Sequence, residues 1–133
     1  MKYALRAAFM TVVAALLVAG SSLTSDAARR ARPAPSAAFD GLWSVSIVTL
    51  RGDCDRGYRY PLRIIRGHVV KADSDPAYQV AGAVARSGAI GVTVYGGGKS
   101  ATGYGRLSRN FGRGVWRTST GECSGQWTAE RRG

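Results

Sequence analysis

The stretch VTVYGGGKSATGYG, Val92 to Gly105, carries three consecutive glycines, a lysine and a serine. That is the order in which a phosphate-binding loop ends. Such a loop needs a glycine, four residues, then Gly-Lys-Ser/Thr, set between a buried parallel strand and the first turn of a helix. Here Thr93 stands five positions before Gly98, and Ser100 leads into ATGYGRL, which alternates small or apolar residues with polar ones. Alternation with period two is a strand, not a helix. The stretch therefore reads as two strands joined by a hairpin whose glycines supply positive φ angles. No nucleotide site is expected.

The same alternation extends in both directions. GLWSVSIVT sets Trp43, Val45 and Ile47 on one face and Ser44 and Ser46 on the other. YRYPLRII sets Tyr58, Tyr60, Leu62 and Ile64 against Arg59, Pro61 and Arg63. Pro61 has no amide hydrogen, so its strand is expected to be an edge or to bulge there. With VVK, YQVAGAV, AIGVTVY, GVWRTS and CSGQWTAER the count reaches about eight short strands. Seventeen glycines among the 95 residues from Phe39 onward argue against long helices, where each costs up to about 1 kcal/mol. Short sequential links predict an all-β antiparallel meander, closed into a barrel because closure removes exposed edges. An open β-sandwich is the alternative. Ala101, Gly103 and Gly105 leave one face of their strand nearly bare. Bare backbone in a barrel either admits a large neighbour, such as Trp116 or Trp127, or leaves a small pocket. Eight strands enclose room for packed side chains or one small ligand, and three tryptophans favour a filled interior.

The first residues follow other rules. Lys2 and Arg6 precede the uncharged run Ala7 to Gly20, and SSLTSDAA follows. A basic start, a short apolar run and small residues mark a secretory signal over residues 1–28, cut near Ala27 or Ala28. The run of 14 residues is short of the roughly 20 that span a bilayer, so no stable membrane span is expected after cleavage. RRARPAPSAA, residues 29–38, reads as a flexible tether, leaving residues 39–133 as one small domain. A domain of this size often needs a covalent staple. Cys54 and Cys123 are its only cysteines, and an exported chain meets oxidants that join them. The expected location is therefore periplasmic or secreted.

Catalytic chemistry finds little support. His68 is the only histidine, it follows a glycine in a turn, and no Gly-x-Ser-x-Gly frame accompanies it. Two thiols and one imidazole do not complete a structural zinc set. The pairs Asp53/Asp55 and Asp73/Asp75 lack a third ligand at calcium-loop spacing, and Pro76 and Ala77 follow the second pair. Neither a catalytic residue, nor a metal, nor a cofactor is expected, and the chain reads as a non-enzymatic binding protein. Its charge suggests a ligand class. Nineteen Lys+Arg stand against eight Asp+Glu, and without residues 1–28 the count is 17 against 7, a net charge of +10. Arginine binds phosphate, sulfate and carboxylate through a planar fork. Arg59, Arg63 and Arg106, with Tyr58 and Tyr104, are thus candidate contacts for an anionic cell-envelope glycan or lipid headgroup. Arg51, Arg56, Arg109 and Arg113 add to them from loops. Nucleic acid suits the charge, but export removes it as a partner.

Gly41-Leu42-Trp43 opens the first strand, and GQWTAER closes the last with Trp127 and Arg131 on one face. With the intervening strands this resembles the calycin group of barrels, which includes avidins, lipocalins and bacterial metalloprotease inhibitors. The resemblance implies that Arg131 covers Trp43 in a cation–π contact, of about 0.5–2 kcal/mol. It also implies two alternative functions: a small-ligand-binding barrel, and a protease inhibitor whose tether enters the enzyme's cleft. The polar set with which avidins bind biotin has no counterpart here. Over nearly all of Phe39 to Arg132 the chain is similar to short exported bacterial proteins without established activity. Their pattern stands here as GLWSV, GDCDRGYRYPLRI, GRLS, GVW and CSGQWTAERR.

Overall fold

The computed structural model describes residues 34–133; the expected secretory signal, residues 1–28, and residues 29–33 of the expected tether lie outside the described residues. Eight strands follow in order: β1 (Gly41–Arg51), β2 (Gly57–Ile65), β3 (His68–Lys71), β4 (Gln79–Val84), β5 (Ala89–Gly96), β6 (Lys99–Ser108), β7 (Phe111–Thr118) and β8 (Ser124–Arg131). Each pairs antiparallel with the next, and β8 returns to β1, so the meander closes into a barrel. The sandwich does not form. Alternation decides which face is buried: Trp43, Val45, Ile47 and Thr49 of β1 are buried while their neighbours are partly or fully exposed. The outside is mixed, with arginines such as Arg59, Arg63, Arg106 and Arg113 beside the exposed Val48, Tyr104, Phe111 and Val115, whereas the inside is apolar. Among the described residues no helix is long and apolar enough to cross a membrane.

The opening stretch forms the β5–β6 hairpin. Gly96 pairs with Lys99, and Gly97 and Gly98 take φ angles of 59° and 76°. Positive φ at both central residues is the turn whose twist matches that of the flanking strands. Pro61 finds an edge that is only local. It opposes Ser44 of β1, but the β2–β3 ladder starts at Leu62, so at Pro61 the strand has a neighbour on one side alone.

One end of the barrel is plugged. Trp43, Val69, Val84 and Leu107 are almost wholly buried there, and a single 3-10 turn, Ala37–Phe39, lies at the same end. The Asp40 carboxylate accepts hydrogen bonds from the backbone amides of Arg66 and Gly67 at 2.7 and 2.9 Å, holding the β2–β3 turn in place. Residues 34–38, expected to be tether, belong to this plug instead. Pro35 bridges Ala85, the Ser36 amide donates to the Val84 carbonyl at 2.8 Å, and the Ser36 side chain caps the 3-10 turn. The boundary moves because backbone pairing along a free strand end overrides the loop-like composition of the segment.

Candidate functional site

The other end is open, and the disulfide lies there. Cys54, in the β1–β2 loop, is joined to Cys123, in the β7–β8 loop, across 69 residues of chain. Beside it β1 bulges between Thr49 and Arg51. Thr49 is buried and its hydroxyl donates to the Asp55 carbonyl at 2.5 Å, tying the loop to the wall.

Within the barrel the three tryptophans stand apart. Trp43 lies at the plugged end, where its indole N–H donates to the Phe39 carbonyl at 2.9 Å. The Arg131 guanidinium sits 5.2 Å from the Trp43 ring centroid and donates to the carbonyls of Asp40 and Arg109 at 3.0 and 2.7 Å. Gly41, at φ 137°, lets the C-terminal residue approach: a Cβ there would collide with the Gly133 carbonyl. Trp116 donates to the Val48 carbonyl at 3.1 Å and Trp127 to the Tyr104 carbonyl at 3.3 Å. All three indole donors are thus taken up, that of Trp43 by the plug and those of Trp116 and Trp127 by the wall.

Trp127 rests against the bare surface of β6 and β7. A Cβ at Gly105 would meet its ring at 2.5 Å, and one at Gly114 at 2.6 Å. Because the indole presses against the wall, it does not fill the middle. The expected filled interior is therefore corrected: a cavity of about 290 Å³ remains. Its walls are almost wholly apolar, with Ile47, Leu62, Val92, Val94 and Ala101 among them and the three indoles around them.

Tyrosines ring one side of the mouth. Tyr58 and Tyr60 stack with centroids 5.9 Å apart, and Tyr78 meets Tyr60 edge-on at 6.2 Å. Tyr78 is locked in place. Its hydroxyl donates to Asp73 at 2.6 Å, and Lys71 lies 5.2 Å from its ring centroid and donates to its carbonyl at 3.0 Å. Partial burial first, then this hydrogen bond, push the Tyr78 phenol up to about 12, while the same bond holds Asp73 below the usual carboxylate range. Burial raises Tyr60 well above the usual phenol value, with Tyr58 and Tyr78 adding to the effect; burial and then Asp55 raise Tyr58. All three phenols are neutral near pH 7. Neither the Tyr58 nor the Tyr60 hydroxyl has a hydrogen-bond partner among the described residues, whereas that of Tyr78 is occupied.

The sequence-derived contact set does not converge. Arg59 and Arg63 lie on β2 and point outward, and Arg59 donates to Ser46 at 3.2 Å. Arg106 and Tyr104 are outward on β6, four strands away around the closed sheet. Tyr58 faces the cavity mouth rather than its arginine neighbours. Arg113, expected in a loop, is an outward residue of β7. The acidic pair at positions 73 and 75 organises its own loop: Asp73 accepts from the Asp75 amide at 3.1 Å and Asp75 from the Ala77 amide at 2.9 Å. His68 is exposed at the start of β3. No group of three or more metal-ligating side chains occurs among the described residues. Of the mouth residues, the sequence marks Tyr60 only as inward-facing and Asp73 only as half of an acidic pair, and it singles out neither Lys71 nor Tyr78. The inward face of Tyr58 and Tyr60 was visible in the alternation, but their meeting with Tyr78 needs β3 to end at Lys71.

No protein-family model, no curated protein and no solved structure matches this chain.

Proposed function

We propose that this chain is an exported, non-enzymatic binding protein that holds one small, largely apolar molecule inside its barrel. The observation that carries the reading is the apolar cavity of about 290 Å³ opening past a cluster of neutral tyrosines. A cavity of roughly 150 Å³ lined by aliphatic and aromatic side chains takes up benzene. About twice that room suits a one- or two-ring aromatic, or a short branched hydrocarbon. Few polar groups placed around an apolar pocket are the usual means of orienting a ligand. Here those groups are the hydroxyls of Tyr58 and Tyr60 at the mouth, which suit a ligand with a single oxygen at its outer end.

Titration of the oxidised protein with 2-naphthol, followed by tryptophan fluorescence, tests the proposal. A saturable one-to-one change is expected, with Tm rising as ligand is added, since binding to the folded state alone stabilises by about 2.7 kcal/mol at a hundred times Kd. The variant Val94→Phe/Ala101→Phe, which fills the cavity from two paired positions, should lose binding while remaining folded. Saturable binding that survives in that variant would place the ligand elsewhere and refute the reading.

A further inference from the structure

The outer face of β6 and β7 gathers charge that nothing inside the barrel uses. Register places Arg106 directly opposite Arg113, and Tyr104 directly opposite Val115 one step toward the open end. Arg117 lies one step further, opposite Thr102. Along β7 the outward residues therefore run Phe111, Arg113, Val115, Arg117, apolar and basic by turns. Tyr104 and Val115 are each 57% exposed and Phe111 is 47% exposed. Flanking partners in the rows of Arg106, Tyr104 and Thr102 are Ala89, Gly91 and Thr93 on β5, and Thr128, Gln126 and Ser124 on β8. No carboxylate stands in these rows. Glu130, just beyond them, pairs with Arg132 at 3.0 Å.

Like charges directly opposite across strands destabilise a sheet. Arg106 and Arg113 lack a counter-charge among their row neighbours, so the face is complementary to an anion from outside. The exposed apolar side chains between the arginines narrow the choice. A soluble polyanion gains nothing from Val115 or Phe111. A bilayer surface accepts them at the level where tyrosine rings are enriched, while arginines meet the headgroups. We infer that the β6–β7 face docks the barrel on an anionic lipid surface, with Tyr104 and Val115 entering between headgroups held by Arg106, Arg113 and Arg117. The inference does not rest on the cavity, whose mouth lies at the end of the barrel and not on this wall.

Co-sedimentation with vesicles of phosphatidylglycerol and phosphatidylcholine, against phosphatidylcholine alone, tests it. The protein is expected to pellet with the anionic vesicles only, and less so as salt is added. Each Arg→Gln change at 106, 113 or 117 should weaken partitioning about fivefold, and the triple variant about a hundredfold. Tyr104→Ser/Val115→Ser should also weaken it, whereas Arg59→Gln/Arg63→Gln on the far wall should change it less than twofold. All these positions are outward-facing, and circular dichroism verifies the fold of each variant. Failure of the wild type to pellet, or an undiminished triple variant, overturns the inference. So does an undiminished Tyr104→Ser/Val115→Ser variant whose binding heparin fully competes, since the face would then serve a soluble polyanion.

Discussion

Single residues set the limits of the interior. Gly105 and Gly114 exist for Trp127: any side chain at either position would occupy the space of its indole, and at Gly114 also crowd the Tyr104 carbonyl. Gly114→Ala is therefore an overpacking change, expected to cost about 1–3 kcal/mol and to be read as a lower urea midpoint with an unchanged slope. Tyr78 and Asp73 make a second test, in pH. The raised phenol of Tyr78 contributes stability that is complete below its ordinary value of 10 and is lost as pH rises toward about 12. The lowered carboxyl of Asp73 contributes stability that is present above its ordinary value and is lost as pH falls through its folded value. Tyrosinate absorbance should thus show Tyr58, Tyr60 and Tyr78 ionising above the ordinary phenol value. In Asp73→Asn the midpoint of Tyr78 should fall back toward 10, and an unmoved midpoint would show that the bond to Asp73 contributes little.

Elements explain why the barrel has one closed end and one open end. At the plugged end the hairpins β2–β3, β4–β5 and β6–β7 turn tightly over Trp43, Val84 and Leu107, and the segment from Pro35 to Asp40 fills what is left. At the open end β3 stops after four residues and pairs with β4 over only two positions, so the wall is low beside Tyr78. Apart from the β5–β6 hairpin, the loops there are longer and need fastening. The Cys54–Cys123 bond fastens the β1–β2 loop to the β7–β8 loop, and in the chain-entropy model a closure of this length stabilises by about 4 kcal/mol. Reduction, or the change Cys54→Ser/Cys123→Ser, should lower the free energy of unfolding by nearly that amount in urea titrations. The loss should be greater at the mouth than at the plug, seen as faster amide exchange in residues 52–58 than in 37–43.

For the whole molecule, the cavity is a packing defect, and defects of that size are destabilising unless a ligand occupies them. Val94→Phe/Ala101→Phe should therefore raise Tm while abolishing binding, which separates loss of function from loss of fold. A lowered Tm would mean that the space is not free to be filled. Period-two alternation, seventeen glycines from Phe39 onward and short turns were enough to determine strand number and antiparallel order, because each is local, and to favour a barrel over a sandwich; the pairing of β8 with β1 decided the closure. The single possible pairing of Cys54 with Cys123 and the inward face of Tyr58 and Tyr60 were legible for the same reason. Only the tertiary structure decided where Trp127 lies, that the middle stays open, that Tyr78 joins the mouth, and that Arg106 keeps company with Arg113 rather than with Arg59. Those outcomes depend on which strands become neighbours across the closed sheet and on how bulky rings share one volume, and neither is a property of any stretch of chain taken alone.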